Sequence, residues 1–171
     1  PNPILRKVEL NPKNSIISNE YVDEIFNNFY GTTLNLNEFQ NKIEILKNRY
    51  ESEGYSLARI NGPDRISEDG LVTLNISEGI ISDVKLRFPG SDGESLIDGK
   101  PRKGKTKDWV IKRELKTQPG TIFNRKILEA DIGRLYATSL FDDIKVSLGP
   151  DSSNPGQVII FLDLSEQRTG S

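Results

Sequence analysis

The chain has 171 residues, of which 35% are hydrophobic and 28% charged, and its formal net charge is −2. It contains neither cysteine nor histidine, which excludes disulfides, thiolate zinc sites and the usual general base near neutral pH. Residues 1–79 carry 8 basic and 12 acidic side chains, and residues 80–171 carry 15 and 13, so neither half has the strongly basic balance typical of nucleic-acid binding.

Residues 1–79 show, in order, the signals of a strand, two helices and two more strands. Apolar and polar residues alternate in the strands, and each helix has a capping residue before an apolar face of helical spacing. Gly62-Pro63 and Asp69-Gly70 predict the turn between the last two strands. The predicted elements are a strand over 4–10, helices that begin after Ser18 and Asn35, and strands over 57–60 and 71–76.

The same order of elements repeats in residues 80–171. The segment GTTLNLNEFQNKIEIL from Gly31 aligns without a gap with GTIFNRKILEADIGRL from Gly120, which marks a repeated structural unit. We therefore predict an α+β fold of two tandem β-α-α-β-β modules, residues 1–79 and 80–171. Each is a three-stranded mixed sheet covered by two antiparallel helices. The first strand pairs most simply with the third, which leaves the second strand at an edge.

Three short motifs invite comparison with catalytic, metal or phosphate sites. Asp142 and Asp143 are adjacent on a predicted strand, so their side chains point to opposite faces and are poorly placed to share one ion. Residues 151–154 lack the carboxylate pattern of a calcium loop, which favours a hairpin turn. In residues 99–106, the glycine spacing and Pro101 depart from a phosphate-binding loop. We expect no catalytic residue, no metal site, no cofactor and no enzyme activity.

The two modules resemble POTRA domains, which occur in tandem and have this order of elements. The resemblance lies in the glycine-to-asparagine entry of the second helix (31–35 and 120–124), in the helix exits, and in an apolar last strand that ends in glutamate. The segment GKTKDWVIKREL over 104–115 is similar to the module nearest the barrel in the cyanobacterial and chloroplast branch of BamA-type proteins. One departure is Ser139, where the family frequently has glycine.

The resemblance implies a periplasmic polypeptide-binding part of an outer-membrane protein assembly or translocation factor. Its implied partners are unfolded outer-membrane protein clients, a neighbouring POTRA module and a C-terminal membrane β-barrel of the same protein, of which this chain is expected to be a piece. The second module is expected to be the one adjacent to that barrel. The alternative is the POTRA pair of a two-partner secretion transporter, which recognises a single secreted substrate. Either function places this part on the periplasmic side of the outer membrane.

The predicted binding mode is β-augmentation, in which an extended peptide adds to a sheet edge through main-chain hydrogen bonds. The candidate edges are the second strands of the two modules, where a proline at Ala58 or Lys145 is predicted to remove an outward donor. The predicted edge residues are Leu57, Ala58, Arg59, Ile60, Asn61, Asp143, Ile144, Lys145 and Val146.

Two features of the second module leave alternatives open. Trp109, the only tryptophan, is either an anchor for a partner or, as its place on a predicted helix favours, part of core or domain-junction packing. The basic loop contains Lys100, Arg102, Lys103 and Lys105. It is either a solvated insertion or a contact for lipid headgroups, the barrel mouth or an acidic client segment.

Overall fold

The structure is a computed structural model that describes residues 3–13, 15–90 and 92–167. The chain divides into two compact units, Pro1–Glu78 and Gly79–Ser171, called here the first and second modules. Each contains a three-stranded sheet with one parallel and one antiparallel pair of strands, together with helices. The predicted α+β fold with mixed three-stranded sheets is therefore confirmed.

In the first module the sheet has the strand order β1-β3-β2, where β1 is Lys7–Asn11, β3 is Leu71–Ser77 and β2 is Arg59–Ile66. The central strand β3 runs parallel to β1 and antiparallel to β2, so the first strand does pair beside the third. A single turn of 3₁₀-helix, Asn27–Phe29, follows the first α-helix. The elements are β1 (Lys7–Asn11), α1 (Asn19–Phe26), α2 (Leu36–Ser52), β2 (Arg59–Ile66) and β3 (Leu71–Ser77).

The core of the first module lies between this sheet and its helices. Every second residue of β3 is buried, as expected for a strand with one covered face. The side chain of Asn35 caps α2 by accepting the N–H groups of Asn37 at 3.0 Å and Glu38 at 3.2 Å. The helix then buries one face at the spacing predicted from the sequence, with Phe39, Ile43, Leu46 and Tyr50.

The second module repeats this arrangement with the strand order β4-β8-β7, where β4 is Ile81–Arg87, β8 is Val158–Glu166 and β7 is Phe141–Pro150. The connection between its first strand and first helix contains a short two-stranded hairpin, which the sequence patterns did not predict. In the turn between the last two strands of this module, the Asp151 carboxylate accepts the Ser153 N–H at 2.9 Å, so the hairpin turn predicted at residues 151–154 is confirmed. The elements are β4 (Ile81–Arg87), β5 (Leu96–Ile97), β6 (Lys100–Pro101), α3 (Asp108–Lys112), α4 (Arg125–Ala137), β7 (Phe141–Pro150) and β8 (Val158–Glu166).

The turn between β2 and β3 differs from its prediction. Gly62-Pro63 lies inside β2, where the register with β3 shifts between Asn61 and Arg65. The turn itself is short, because the Ser67 N–H already donates to the Leu71 carbonyl at 3.0 Å. Glycine and proline are tolerated inside an edge strand at such a bulge, so they did not mark the turn here.

Trp109 also differs from its favoured prediction. Its side chain is 63% exposed, and the guanidinium of Arg113 lies 5.1 Å from its ring centre. The helix α3 has only five residues and buries Ile111 instead. The prediction that Trp109 packs in a core is therefore wrong.

The described residues contain no group of three or more acidic side chains placed to hold a metal ion. Asp142 is exposed and Asp143 half-buried on β7. No helix in the described part of the chain is long and apolar enough to cross a membrane.

Candidate peptide-binding edge

Each three-stranded sheet has two edge strands: β1 and β2 in the first module, β4 and β7 in the second. A peptide can add to an edge only where outward main-chain N–H and C=O groups are not already bonded. The four edges differ in this respect.

The outward residues of β7 follow from its hydrogen bonds. Along an antiparallel pair, alternate residues bond to the partner strand. At the turn, the Asp151 N–H donates to the Gln157 carbonyl at 3.2 Å, so Asp151 is a residue that bonds to the partner strand. Every second residue before it along β7 does the same. The β7 residues that bond to β8 are thus Asp143, Lys145, Ser147 and Gly149. Those whose main-chain groups point away from the sheet are Ile144, Val146, Leu148 and Pro150.

At the two ends of this edge no outward N–H is available. The Ile144 N–H donates to the hydroxyl of Tyr136, on α4, at 2.9 Å, which also confirms that this amide points outward. At the other end, Pro150 has no N–H to offer. Between them, the amides of Val146 and Leu148 are not bonded to any part of the chain that the structure describes. The edge therefore offers two consecutive rungs.

Apolar side chains accompany these two rungs. Val146 pairs with Leu162 and Leu148 with Ile160, so both lie on the face of the sheet that is buried in β8. The two residues are nevertheless 36% and 43% exposed, whereas Ile144 is only 8% exposed. An added strand would therefore find both free donors and uncovered apolar surface at this place.

The edge of β2 is interrupted. Of the predicted residues, Arg59, Ile60 and Asn61 lie in the strand, and the register shift follows directly after them. Leu57 and Ala58 precede the strand, and the Ala58 N–H donates to the Tyr55 carbonyl at 3.1 Å. The prediction that Leu57 and Ala58 belong to an edge strand is wrong, and a bulge of this kind protects an edge from pairing.

One outward amide of the β1 edge is occupied by a tyrosine. The Val8 N–H donates to the Tyr30 hydroxyl at 3.2 Å, and that hydroxyl donates to Asp23 at 2.7 Å. Asp23 in turn pairs with Lys7 at 2.6 Å. Burial raises the pKa of Tyr30 well above its usual range, and the Asp23 carboxylate adds to this, so the hydroxyl stays protonated.

The edge of β4 is occupied in part, by an acidic side chain and by the basic loop. The Val84 N–H donates to Asp83 Oδ1 at 2.8 Å. Just beyond the strand, Arg102 Nε donates to the Phe88 carbonyl at 3.0 Å. The basic loop thus covers one end of this edge.

The four predicted residues of the basic loop have different surroundings. Arg102 is half-buried and anchored on Phe88, whereas Lys100, Lys103 and Lys105 are exposed. The main-chain N–H groups of Lys105 and Thr106 are taken by the Glu166 carboxylate, at 2.8 Å each. These amides are therefore not available to a phosphate group, and three lysines form the exposed cationic surface.

Tyr136 was missed by the sequence patterns. It lies near the C-terminal end of α4 and is 42% exposed, so it contributes nothing to the apolar face that marks the helix. The available signal was a tyrosine eight residues before an edge-strand amide, across a tight helix exit, and that spacing alone is too common to be specific.

Comparison with known proteins identifies the family. Residues 4–79 match a family model described as "POTRA domain, ShlB-type", and residues 97–167 match one described as "Surface antigen variable number repeat". The N-terminal domain of Omp85 from Thermosynechococcus elongatus is 39% identical, with a TM-score of 0.87, covering 99% of this chain and 68% of that one. The chain belongs to the Omp85 family.

The Omp85 assignment is supported by a second solved structure and by a chloroplast relative. POTRA1-3 of the periplasmic domain of Omp85 from Anabaena is 38% identical with a TM-score of 0.88, again over 99% of this chain and 68% of that one. Protein TOC75, chloroplastic, of Pisum sativum is 27% identical over 119 residues, which is 68% of this chain and 14% of the relative. The chain thus spans about 14% of the length of that curated relative.

These findings decide two predictions. The resemblance to POTRA domains of the cyanobacterial and chloroplast branch is confirmed. The family is non-enzymatic, which confirms that prediction too.

Proposed function

We propose that this chain is the periplasmic polypeptide-binding part of an outer-membrane protein assembly factor, and that unfolded clients add to the β7 edge by β-augmentation. The observation that carries the proposal is the pair of unoccupied outward amides, Val146 and Leu148, beside exposed apolar side chains. In the described structure β2 is bulged, and β1 and β4 each have an outward amide that is bonded to a side chain, so the two consecutive unbonded rungs of β7 favour this edge. The second module is therefore the proposed receiving site.

The strength of such binding follows from its few contacts. An antiparallel added strand exchanges two hydrogen bonds with each outward residue, so Val146 and Leu148 support about four bonds. Each contributes about 0.5–1.5 kcal/mol net, and association entropy offsets much of the sum. Weak binding through main-chain groups suits a receptor for many different clients, because backbone groups are the same in all of them.

The remaining partners are part of the same proposal. The Anabaena relative is described as a periplasmic domain of Omp85, which supports a location on the periplasmic side of the outer membrane. There the second module would lie next to a membrane β-barrel of the same protein, beside neighbouring POTRA modules. The exposed Lys100, Lys103 and Lys105 would face anionic lipid headgroups.

The alternative from the sequence, a two-partner secretion transporter with a single substrate, receives less support. The identities of 39% and 38% are with Omp85 proteins of cyanobacteria. An edge that recognises main-chain groups on two rungs also gives little means to select one substrate.

The test uses proline and threonine at the same position. Val146→Pro removes an outward N–H, whereas Val146→Thr keeps that N–H and the β-branched shape. Binding of a synthetic ten-residue peptide with the alternating apolar and polar pattern of a membrane-barrel strand is measured by NMR titration.

We expect Val146→Pro to weaken the peptide's affinity at least ~5-fold, the loss expected for about one hydrogen bond, and Val146→Thr to change it by less than ~2-fold. Amide spectra establish that both variants remain folded. Equal affinity of folded Val146→Pro and wild type would exclude augmentation at β7. Lys145→Pro is unsuitable, because the Lys145 N–H bonds to β8 and not to the outside.

A further inference from the structure

We propose that Tyr136 and Pro150 set the register of a strand added to β7, and that they confine its pairing to Val146 and Leu148. The proposal rests on the augmentation at β7 proposed above. It assigns Tyr136 as a residue that determines the position and length of the bound segment.

Tyr136 closes the edge at the Ile144 rung. Its hydroxyl accepts the Ile144 N–H at 2.9 Å, the length of a normal hydrogen bond. A peptide carbonyl that approached Ile144 would replace one protein hydrogen bond by another and would also have to displace the ring. At Val146 and Leu148 the same carbonyl displaces only water, so pairing is favoured there and not at Ile144.

Pro150 closes the edge at the opposite end. The position after Leu148 in the outward series is Pro150, which has no N–H to donate. Because strand pairing repeats every two residues, an added strand that keeps its faces can slip only in steps of two. For a segment just long enough to pair with these two rungs, a slip in either direction therefore exchanges a free donor for an occupied or a missing one.

The flanking side chains define the chemical class of the segment. On one face, Val146 and Leu148 present apolar surface, and on the other face Lys145 and Ser147 present exposed polar groups. Directly neighbouring residues of an added strand would lie beside these side chains. The matching ligand is an extended segment of about four residues that alternates apolar with polar or acidic side chains.

A tyrosine hydroxyl on an edge amide also occurs in the first module. Tyr30 accepts the Val8 N–H of β1 at 3.2 Å. The two tyrosines belong to different elements, and the Tyr30 hydroxyl is held further by Asp23. Tyr30→Phe is therefore a matched control, because it removes the same hydroxyl from an edge amide away from the proposed site.

The experiment compares wild type, Tyr136→Phe, Pro150→Ala and Tyr30→Phe with the ten-residue alternating peptide. Phenylalanine frees the Ile144 N–H, and alanine supplies an N–H at position 150, so each adds one rung. We expect both variants to bind the peptide at β7 about 5-fold more tightly, the gain of roughly one hydrogen bond, and Tyr30→Phe to leave the peptide's affinity for the β7 edge as in wild type.

Hydrogen exchange and peptide-to-protein NOEs read the register itself. In wild type we expect peptide contacts at the Val146 and Leu148 amides and unchanged exchange of the Ile144 amide on binding. In Tyr136→Phe, the Ile144 amide should exchange faster in the free protein and become protected when peptide binds. Peptide contacts at the wild-type Ile144 amide, or unaltered affinity and register in both Tyr136→Phe and Pro150→Ala, would overturn the register proposal alone. Absence of peptide binding to every variant would overturn the augmentation itself.

Discussion

Glu78 and Glu166 perform the same task in the two modules: each follows or ends the last strand and holds the segment that enters the first helix. Glu78 Oε2 accepts the Ile16 N–H at 2.7 Å and the hydroxyl of Tyr50 at 2.7 Å. Glu166 accepts the N–H groups of Lys105 and Thr106 at 2.8 Å each. In each module, the glutamate at the end of the last strand thus fixes the segment before the first helix through hydrogen bonds.

We predict that Glu166 stabilises the second module in a pH-dependent way. Burial raises the pKa of the Glu166 carboxyl, but hydrogen bonds from Lys105 and Thr106 outweigh burial and hold that pKa below its usual range. A carboxyl with a lowered folded-state pKa stabilises the fold above its unfolded pKa of about 4.3, and this contribution is lost as the pH falls through the folded pKa. Glu166→Gln should therefore lower the free energy of unfolding by about 2 kcal/mol at pH 7.

The difference between wild type and Glu166→Gln should shrink at pH values below about 4. Urea denaturation at both pH values measures it, with Glu94→Gln in the exposed part of the β4–α3 connection as the control. A difference that stays constant with pH would contradict the role of the ionised carboxylate.

We predict that Ser139→Gly stabilises the protein. Ser139 has a φ of +61°, the left-handed conformation that Gly54 provides at φ +99° after α2 in the first module. This conformation costs a non-glycine residue about 1–2 kcal/mol. Glycine avoids that cost, but its greater freedom in the unfolded chain offsets part of the resulting stabilisation. The departure from the family pattern thus keeps the backbone conformation of the helix exit.

The expected gain for Ser139→Gly is about 0.5–1 kcal/mol in the free energy of unfolding, measured by thermal or urea denaturation. Ala137→Gly, two residues earlier in α4, should instead destabilise by up to about 1 kcal/mol. Equal effects of the two substitutions would show that the backbone conformation at Ser139 carries no strain.

We predict that the buried carboxylate of Asp131 is essential for the second module. It accepts the N–H groups of Lys116 at 3.0 Å and Thr117 at 2.8 Å and contacts Arg134, with no exposure of its side chain. Asp131→Ala should lower the free energy of unfolding by about 3–5 kcal/mol, because two amides lose their partner and the Arg134 guanidinium loses its carboxylate. Glu129→Ala, on the exposed face of the same helix, should change it by less than about 0.5 kcal/mol.

We predict opposite tolerance to proline at neighbouring positions of β7. The Lys145 N–H bonds to β8, whereas the Val146 N–H points outward. Lys145→Pro should destabilise the second module by about 3 kcal/mol or more, and Val146→Pro by clearly less. Chemical denaturation of the two variants measures the difference, and the reverse order of stability would show that the outward residues have been assigned wrongly.

We predict that the basic loop separates into an anchored and a free part. Charge reversal of Lys100, Lys103 and Lys105 should leave the free energy of unfolding nearly unchanged. It should weaken co-sedimentation with vesicles that contain anionic lipid, and added salt should weaken the co-sedimentation of the wild type as well. Arg102→Ala should instead destabilise the module, because Arg102 Nε donates to the Phe88 carbonyl. Vesicle binding that survives the triple reversal would remove the lysines from any membrane contact.

The sequence alone determined the repeat, the order of the helices and main-sheet strands in each module, and the order of strands in both three-stranded sheets. Ser18 and Asn35 each precede a helix and accept main-chain N–H groups, as predicted for local capping residues, and Asn124 does the same in the second module. These features depend on neighbours within a few residues and on the periodicity of apolar side chains, so they can be read directly from the chain.

Only the tertiary structure decided which edge amides are free. The extra residue between Phe141 and Asp143 shifts the alternation of β7. As a result the main-chain N–H of Lys145 points to the partner strand β8, and that of Val146 points outward. The hydroxyl of Tyr136 and the guanidinium of Arg102 reach main-chain groups of other elements. One inserted residue reverses every later position along a strand, and a side-chain contact between elements leaves no periodic signal, which is the physical reason why the sequence patterns missed both.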